Sequence, residues 1–428
     1  LASCLIAGGV FTSAAAQAAR VTVTVDGIQT TDGAILAGLF DSAASFPQKY
    51  VQGRSSVAKT PSVTLTFENV APGRYAMSAF HDRNGNGKLD TGAFGIPTEP
   101  LGFSRGARAI MGPPSFADAA FDVPAEGLSL VIHLNEKAPT AAQRNATERF
   151  WAALHGADYA AYPAALAAVQ AALVESPQDP VQNAHLGWLH IWHLSEAGSF
   201  AATPQDMGAD LTSATRSFQR AVELAPDEAR YLGFLATTLF LESAVNSDAA
   251  ASRRAEATMA RAVQMWPEFN LFTAGYIHSS DPFDSPQYAT AMQQMWQDLD
   301  VCAGQPVSRE HPGFAKPPVQ TNVGHQRACW NSSIAPHNFE GFFLNFGDML
   351  VKQGDIASAR AMYANARLSA TYAEWAYRDV LERRITDAEA NVAVFRNSAG
   401  SSEGEAHMMV QSNFSCMACH RGSRSAST

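Results

Sequence analysis

Cys416, Cys419 and His420 stand in the run Cys-Met-Ala-Cys-His, close to the end of the chain. Two thiols three residues apart can add across the two vinyl groups of haem, and the adjacent imidazole can reach the iron from one face. Two other chemistries use paired cysteines, a thioredoxin-like redox couple and a zinc site. No βαβ pattern surrounds this pair, and no second cysteine pair stands at zinc-ligand spacing. The spacing therefore predicts one covalent haem c, anchored by Cys416 and Cys419, with His420 as the proximal iron ligand.

The second axial position is less defined. Only Arg421 to Thr428 follow His420, and none is Met or His, so a second ligand comes from upstream or the position is open. His337 and His407 are the leading candidates, His407 because Gln411 to Ser415 leave slack to fold back. His311 and His325 lie on a long irregular stretch, and His190 and His193 sit three apart on one helical face. Each of these also reads as a hydrogen-bonded packing residue, and Trp188 with Trp192, at i,i+4, reads as core. Two strong axial ligands favour electron transfer; an open face admits O₂, NO, CO or peroxide.

A second constellation is oxygen-rich. Asp82, Asn84, Asn86 and Asp90 occupy positions 1, 3, 5 and 9 of a calcium loop, with Gly87 at the turn. Ala93 stands where the bidentate Glu belongs, which favours a metal-free Gly/Asn turn over calcium. Cys302 and Cys329 bracket most of an irregular stretch, 304–336, and read as a disulfide pinning it, worth about 3 kcal/mol.

The elements that carry these residues divide at about 137/138. Residues 1–19 read as the tail of a secretory signal, with Cys4 as the lipidated residue of a lipoprotein box in the competing reading. From 20 to 137 the chain looks β-rich: period-two alternation at 21–25 and 63–67, further strands at 75–80 and 128–134, and Gly/Asp turns between them. Such spacing predicts a small antiparallel sandwich. From 138 to 428 alanine dominates and helical spacing takes over.

Here a pattern repeats, Ala-x3-large-x2-Ala-x4-Pro. It occurs at Ala165/Val169/Ala172/Pro177, Ala214/Phe218/Ala221/Pro226 and Ala255/Met259/Ala262/Pro267, and without the Pro at Ala359/Tyr363/Ala366. Gly187 and Ala236 fall at the small position of the next first helix, and Gly347 and Gly354 stand twelve and five residues ahead of Ala359. The pattern resembles the tetratricopeptide repeat, which implies a helical solenoid able to dock a partner. The haem motif resembles that of cytochromes c′ only in lying near the C-terminus.

The N-terminal part has its own resemblance. Gly73-Arg74-Tyr75-Ala76, the loop from His81 to Asp90, Gly95-Ile96-Pro97-Thr98-Glu99, Gly102-Phe103-Ser104 and Gly112-Pro113-Pro114-Ser115-Phe116 resemble an exported bacterial β-sandwich family, domain of unknown function 2141. This implies a transthyretin-like sandwich and no established activity.

The 428 residues carry a formal charge of −10, with 46% hydrophobic and 16% charged residues. That balance excludes general disorder and argues against a nucleic-acid footprint. Outside the N-terminal end no stretch reads as a membrane span, and no Gly-x-Ser-x-Gly, His-Glu-x-x-His or phosphate-binding Gly loop is present. The expected protein is periplasmic or extracellular, an electron carrier or binding protein rather than an enzyme, with a redox partner protein. The alternatives are a haem enzyme or gas or peroxide sensor, and an envelope scaffold with structural haem.

Overall fold

In the computed structural model, residues 19–91, 97–107, 113–135, 140–226, 228–316, 318, 320, 325–397, 408 and 416–422 are described. Cys4 and His407 lie outside them. The chain divides into two compact units, Leu1–Ala138 and Pro139–Thr428.

The first unit has strands β1 (Ala19–Asp26), β2 (Ala34–Phe40), β3 (Gln52–Val57), β4 (Ser62–Val70), β5 (Gly73–Asp82), β6 (Leu101–Phe103), β7 (Phe121–Val123) and β8 (Leu128–His133), with a short helix α1 (Phe116–Ala119). One sheet runs β4-β1-β8; the other runs β3-β2-β5-β6, with β7 also on β5. Alternation explains β1 and β4: Val21, Val23 and Val25 face inward with Val63, Leu65 and Phe67. They share one core with Ile35, Leu39, Met77 and Ala79 of the second sheet.

Two features depart from the alternating antiparallel pattern. β1 pairs with β8 in parallel, Val23 opposite Leu130. The six strands between them, β2 to β7, supply the long crossover that a parallel pair needs. β2, by contrast, is buried along nearly its whole length, because Ile35, Ala37 and Leu39 face the core between the sheets while Phe40 on the other face packs with Phe46, Ala76 and Phe103. Its apolar run Ala-Ile-Leu-Ala-Gly-Leu-Phe therefore shows no period of two.

The second unit is helical: α2 (Ala141–Gly156), α3 (Tyr162–Glu175), α4 (Pro180–Ser195), α5 (Ala197–Phe200), α6 (Pro204–Leu224), α7 (Ala229–Asn246), α8 (Ala249–Met265), α9 (Pro267–Tyr276), α10 (Pro286–Ala303), α11 (Asn338–Gln353), α12 (Ile356–Ala366), α13 (Arg378–Thr386), α14 (Ala388–Arg396) and α15 (Cys416–His420). Their starts are written locally. Thr140 and Thr203 form capping boxes with Gln143 and Asp206, and Pro180, Pro204, Pro267 and Pro286 sit in the first turn.

α2 packs on α3, α4 on α6, α7 on α8, and α11 on α12. The repeated Ala-x3-large-x2-Ala positions lie on α3, α6, α8 and α12, and all twelve are buried. The small residues of the partner helices explain the close approach. A Cβ on Gly187 would come within 2.9 Å of the Phe218 ring, and one on Gly347 within 2.2 Å of Tyr363. Ala236 packs in the same way with Met259. Among the described residues no helix is long and apolar enough to cross a membrane.

Cys302 and Cys329 lie at disulfide distance, with Cα atoms 5.6 Å apart. The stretch they close is pinned at further points. Phe314 N–H donates to Asn365 Oδ1 (2.8 Å), the Trp266 indole donates to His325 O (2.8 Å), and Arg309 pairs with Asp300 (2.7 Å).

Candidate functional site

α15 is barely more than one turn, too short to hold itself. Its backbone is tied from three directions. Cys419 O accepts the His337 N–H (3.0 Å), Ala418 O accepts the Trp375 indole N–H (2.8 Å), and Gly422 N–H donates to His155 O (2.8 Å). α11 comes close because residue 341 is glycine: a Cβ there would stand 2.3 Å from Cys419 Sγ and 3.0 Å from the Ala418 carbonyl carbon.

Helical spacing puts Cys416 and Cys419 on one face, with His420 one turn from Cys416. Neither cysteine is in a disulfide. Burial pushes the Cys419 thiol up to about 12, with the Glu340 charge adding to it, and Cys416 is raised by burial, Glu196 and Cys419. A redox-active or metal-binding pair needs the opposite, a thiolate favoured by nearby positive charge. Protonated thiols are what addition across a vinyl group consumes.

His420 is held by one atom. Its Nδ1 donates to Ile334 O at 2.9 Å, which leaves Nε2 as the lone-pair nitrogen. Burial lowers its pKa to about 4, against the opposing effect of the Ile334 bond, so the ring is neutral at pH 7. A neutral imidazole whose far nitrogen is fixed by a backbone carbonyl is oriented as metal-ligating histidines are. His155 Nε2 shares the same carbonyl at 3.1 Å, and the Trp188 indole lies 5.7 Å from the His420 ring. The thiol pair and the neutral imidazole are the donor set that a covalent haem would require.

Of the upstream histidines, His337 is brought against α15. It is fully buried, and its Nδ1 stands 3.2 Å from Glu340 Oε1. Glu340 also accepts from Asn331 (2.8 Å), Ser369 (2.7 Å) and Thr371 (2.8 Å). Burial opposes its ionisation, but these bonds hold the carboxyl below its ordinary range.

The others are engaged elsewhere. His190 and His193 both turn Nδ1 to the Asp210 carboxylate, at 2.7 and 2.5 Å. His325 stacks on Trp266, and His311 is exposed. Sequence reasoning missed Ile334, His155, Gly341 and Trp375, whose roles depend on backbone contacts across long separations. Trp188 packs against the helical core, as its spacing with Trp192 predicts, and also stands beside His420.

In the first unit, the 82–90 loop closes on itself. Asp82 accepts the Asn86 and Gly87 N–H groups (3.0 and 2.9 Å), and Asp90 accepts the side-chain amides of Asn84 (2.6 Å) and Asn86 (2.8 Å). Glu99, which the loop spacing did not indicate, accepts Arg83 N–H (2.9 Å) and Asp90 N–H (3.0 Å). Burial, with help from Asp90 and Asp82, raises its carboxyl to about 7. Among the described residues no group of three or more His, Cys, Asp or Glu side chains converges to hold a metal ion.

No curated protein matches the chain. Residues 23–129 match a family described as an uncharacterized protein conserved in bacteria, DUF2141, and this match covers the β-sheet unit alone.

Proposed function

We propose that the helical unit carries one covalent haem c and transfers electrons, with its helix pairs forming a tetratricopeptide-like docking surface for a redox partner protein. The observation that carries this reading is the placement of His420: clamped through Nδ1 by Ile334 O at 2.9 Å and presented on α15 beside Cys416 and Cys419. Bound there, haem supplies a one-electron redox centre.

The chain's own residues do the rest. Cys416 and Cys419 anchor the group, each thiol giving its proton to the vinyl carbon that does not take the sulfur. Ile334 fixes the tautomer and rotation of His420. Gly341 admits α11 against Cys419, and Trp188 shields the imidazole from water.

For the second axial position the candidates are His337 and His407. His337 has the supporting contact, because Glu340, by accepting the Nδ1 proton, sets the ring's tautomer. A disulfide-distance pair at Cys302 and Cys329 fits export, since such bonds persist in oxidising compartments.

The test is an alkaline pyridine spectrum of protein made in a host with cytochrome c maturation. A haem c spectrum from the wild type and none from C416S/C419S is expected. No haem in the wild type, or equal haem in the double variant, overturns the reading. A low-spin spectrum unchanged by CO supports electron transfer, whereas a CO-shifted one supports a ligand-binding distal face.

A further inference from the structure

From His420 a run of aromatic rings leads away from the attachment helix. Trp188 lies 5.7 Å from His420, Phe234 4.6 Å from Trp188, Phe269 5.7 Å from Phe234, and Trp266 5.5 Å from Phe269. Trp188, Phe234 and Phe269 belong to three different helices, α4, α7 and α9, and all three are only half-buried. The same helices bury their small residues against neighbours, so the large rings gather on a different side.

The run ends in positive charge. Arg327 lies over the Trp266 ring with Cζ 4.1 Å from its centroid, and Arg230 approaches the same ring at 5.9 Å. Arg230 also pairs with Glu228 at 2.7 Å. His325 stacks on Trp266, with Glu268 4.0 Å from its Nδ1. Arg327 is carried by the short turn His325–Cys329, whose last residue is in the disulfide-distance pair. Two guanidinium groups beside one indole suit an anion with planar oxygens, because Arg matches carboxylates in a fork.

We infer that this run is the seat of the porphyrin, the aromatic rings lining its apolar macrocycle and Arg327 and Arg230 holding its two propionates. The inference rests on the covalent-haem reading above. Haem is a flat apolar ring with carboxylates on the edge away from its vinyl groups. A group tied by its vinyl carbons at Cys416 and Cys419 directs those carboxylates away from α15, and the run leads from that helix to the arginines. The pinned loop thereby gains a task, positioning Arg327.

The experiment is the midpoint potential of purified, haem-bearing protein. R327Q is expected to lower the potential by about 30 mV or more, the one-electron equivalent of a threefold change in the reduction equilibrium, because a cation beside the propionates favours the reduced state. R327K retains most of the wild-type value. R230Q lowers the potential less, since Glu228 already offsets that charge. R360Q serves as control: Arg360, exposed on α12 and paired with Glu389, lies off the run and outside the pinned loop, and its loss leaves the potential unchanged.

Wild-type potentials in both R327Q and R230Q overturn the seat while leaving the haem reading intact. If R327Q does not fold, R230Q together with a wild-type-like R327K decides the point, an unshifted R230Q counting against the seat. A wild-type chain with no covalent haem overturns both.

Discussion

The two units spend their polar groups in opposite ways. In the β-sheet unit, the 82–90 loop meets its own demands: Asp82, Asp90 and Glu99 take donors from within the loop and its flanks. In the helical unit, α15 has its backbone satisfied from outside by His337, Trp375 and His155, while Nε2 of His420 is turned away from the carbonyl that fixes the ring. A loop that closes its own hydrogen bonds is complete as folded. α15, pinned through its backbone, keeps Cys419 buried and Cys416 and His420 half-buried.

The contrast has a pH signature of opposite sign, and this is the largest effect expected. Glu99 has a folded pKa of about 7 against 4.5 for an unperturbed Glu. The folded state therefore holds the proton more tightly, and the unit loses stability as pH rises from 4.5 to 7, by about 3 kcal/mol. E99Q removes that loss, so its stability relative to the wild type climbs across the same window.

His185 is the reverse case. Stacked on Phe150 at 4.1 Å with an unpartnered buried Nδ1, it is lowered by burial, and by Arg230, to about 3 from 6.5. Below pH 6.5 the unfolded chain binds the proton first, and the helical unit loses about 3 kcal/mol by pH 4. H185F abolishes this contribution. Because Asp348 and Asp298 in the same unit are raised by burial and act in the other direction, the readout is the difference between wild type and variant in urea titrations across pH.

Next in size, C302S/C329S is expected to lower the denaturation midpoint of the helical unit by an amount worth about 3 kcal/mol. The β-sheet transition stays where it was. G341A follows at about 2 kcal/mol, since its Cβ must displace Cys419 Sγ and the Ala418 backbone. It also lowers the yield of haem-bearing protein, which a Soret-to-280 nm absorbance ratio measures. The smallest effect is at a helix start: T203A removes the Asp206 N–H cap of α6 and costs about 1 kcal/mol in thermal unfolding.

What was legible in the sequence was what is local or periodic. The helical turn α15 had no periodic signal of its own, whereas β1 and β4 announced themselves by alternation, and the helix pairs by recurring alanines and by Gly187 and Ala236. β2 did not, because a strand covered on both faces has no alternation to show. Nor did the parallel β1–β8 pair, which depends on where the chain returns after six intervening strands. Ile334 was illegible for a further reason: it acts through its carbonyl, a group every residue has. Glu99 lies outside the loop's own register, so a position-by-position reading of 82–90 does not reach it.

The most direct test of the central claim is the intact mass of the denatured, acid-acetone-washed polypeptide from a cytochrome c-maturing host. A mass greater than the amino-acid chain by one haem, lost in C416S/C419S, is the predicted result. A mass equal to the bare chain in the wild type contradicts it.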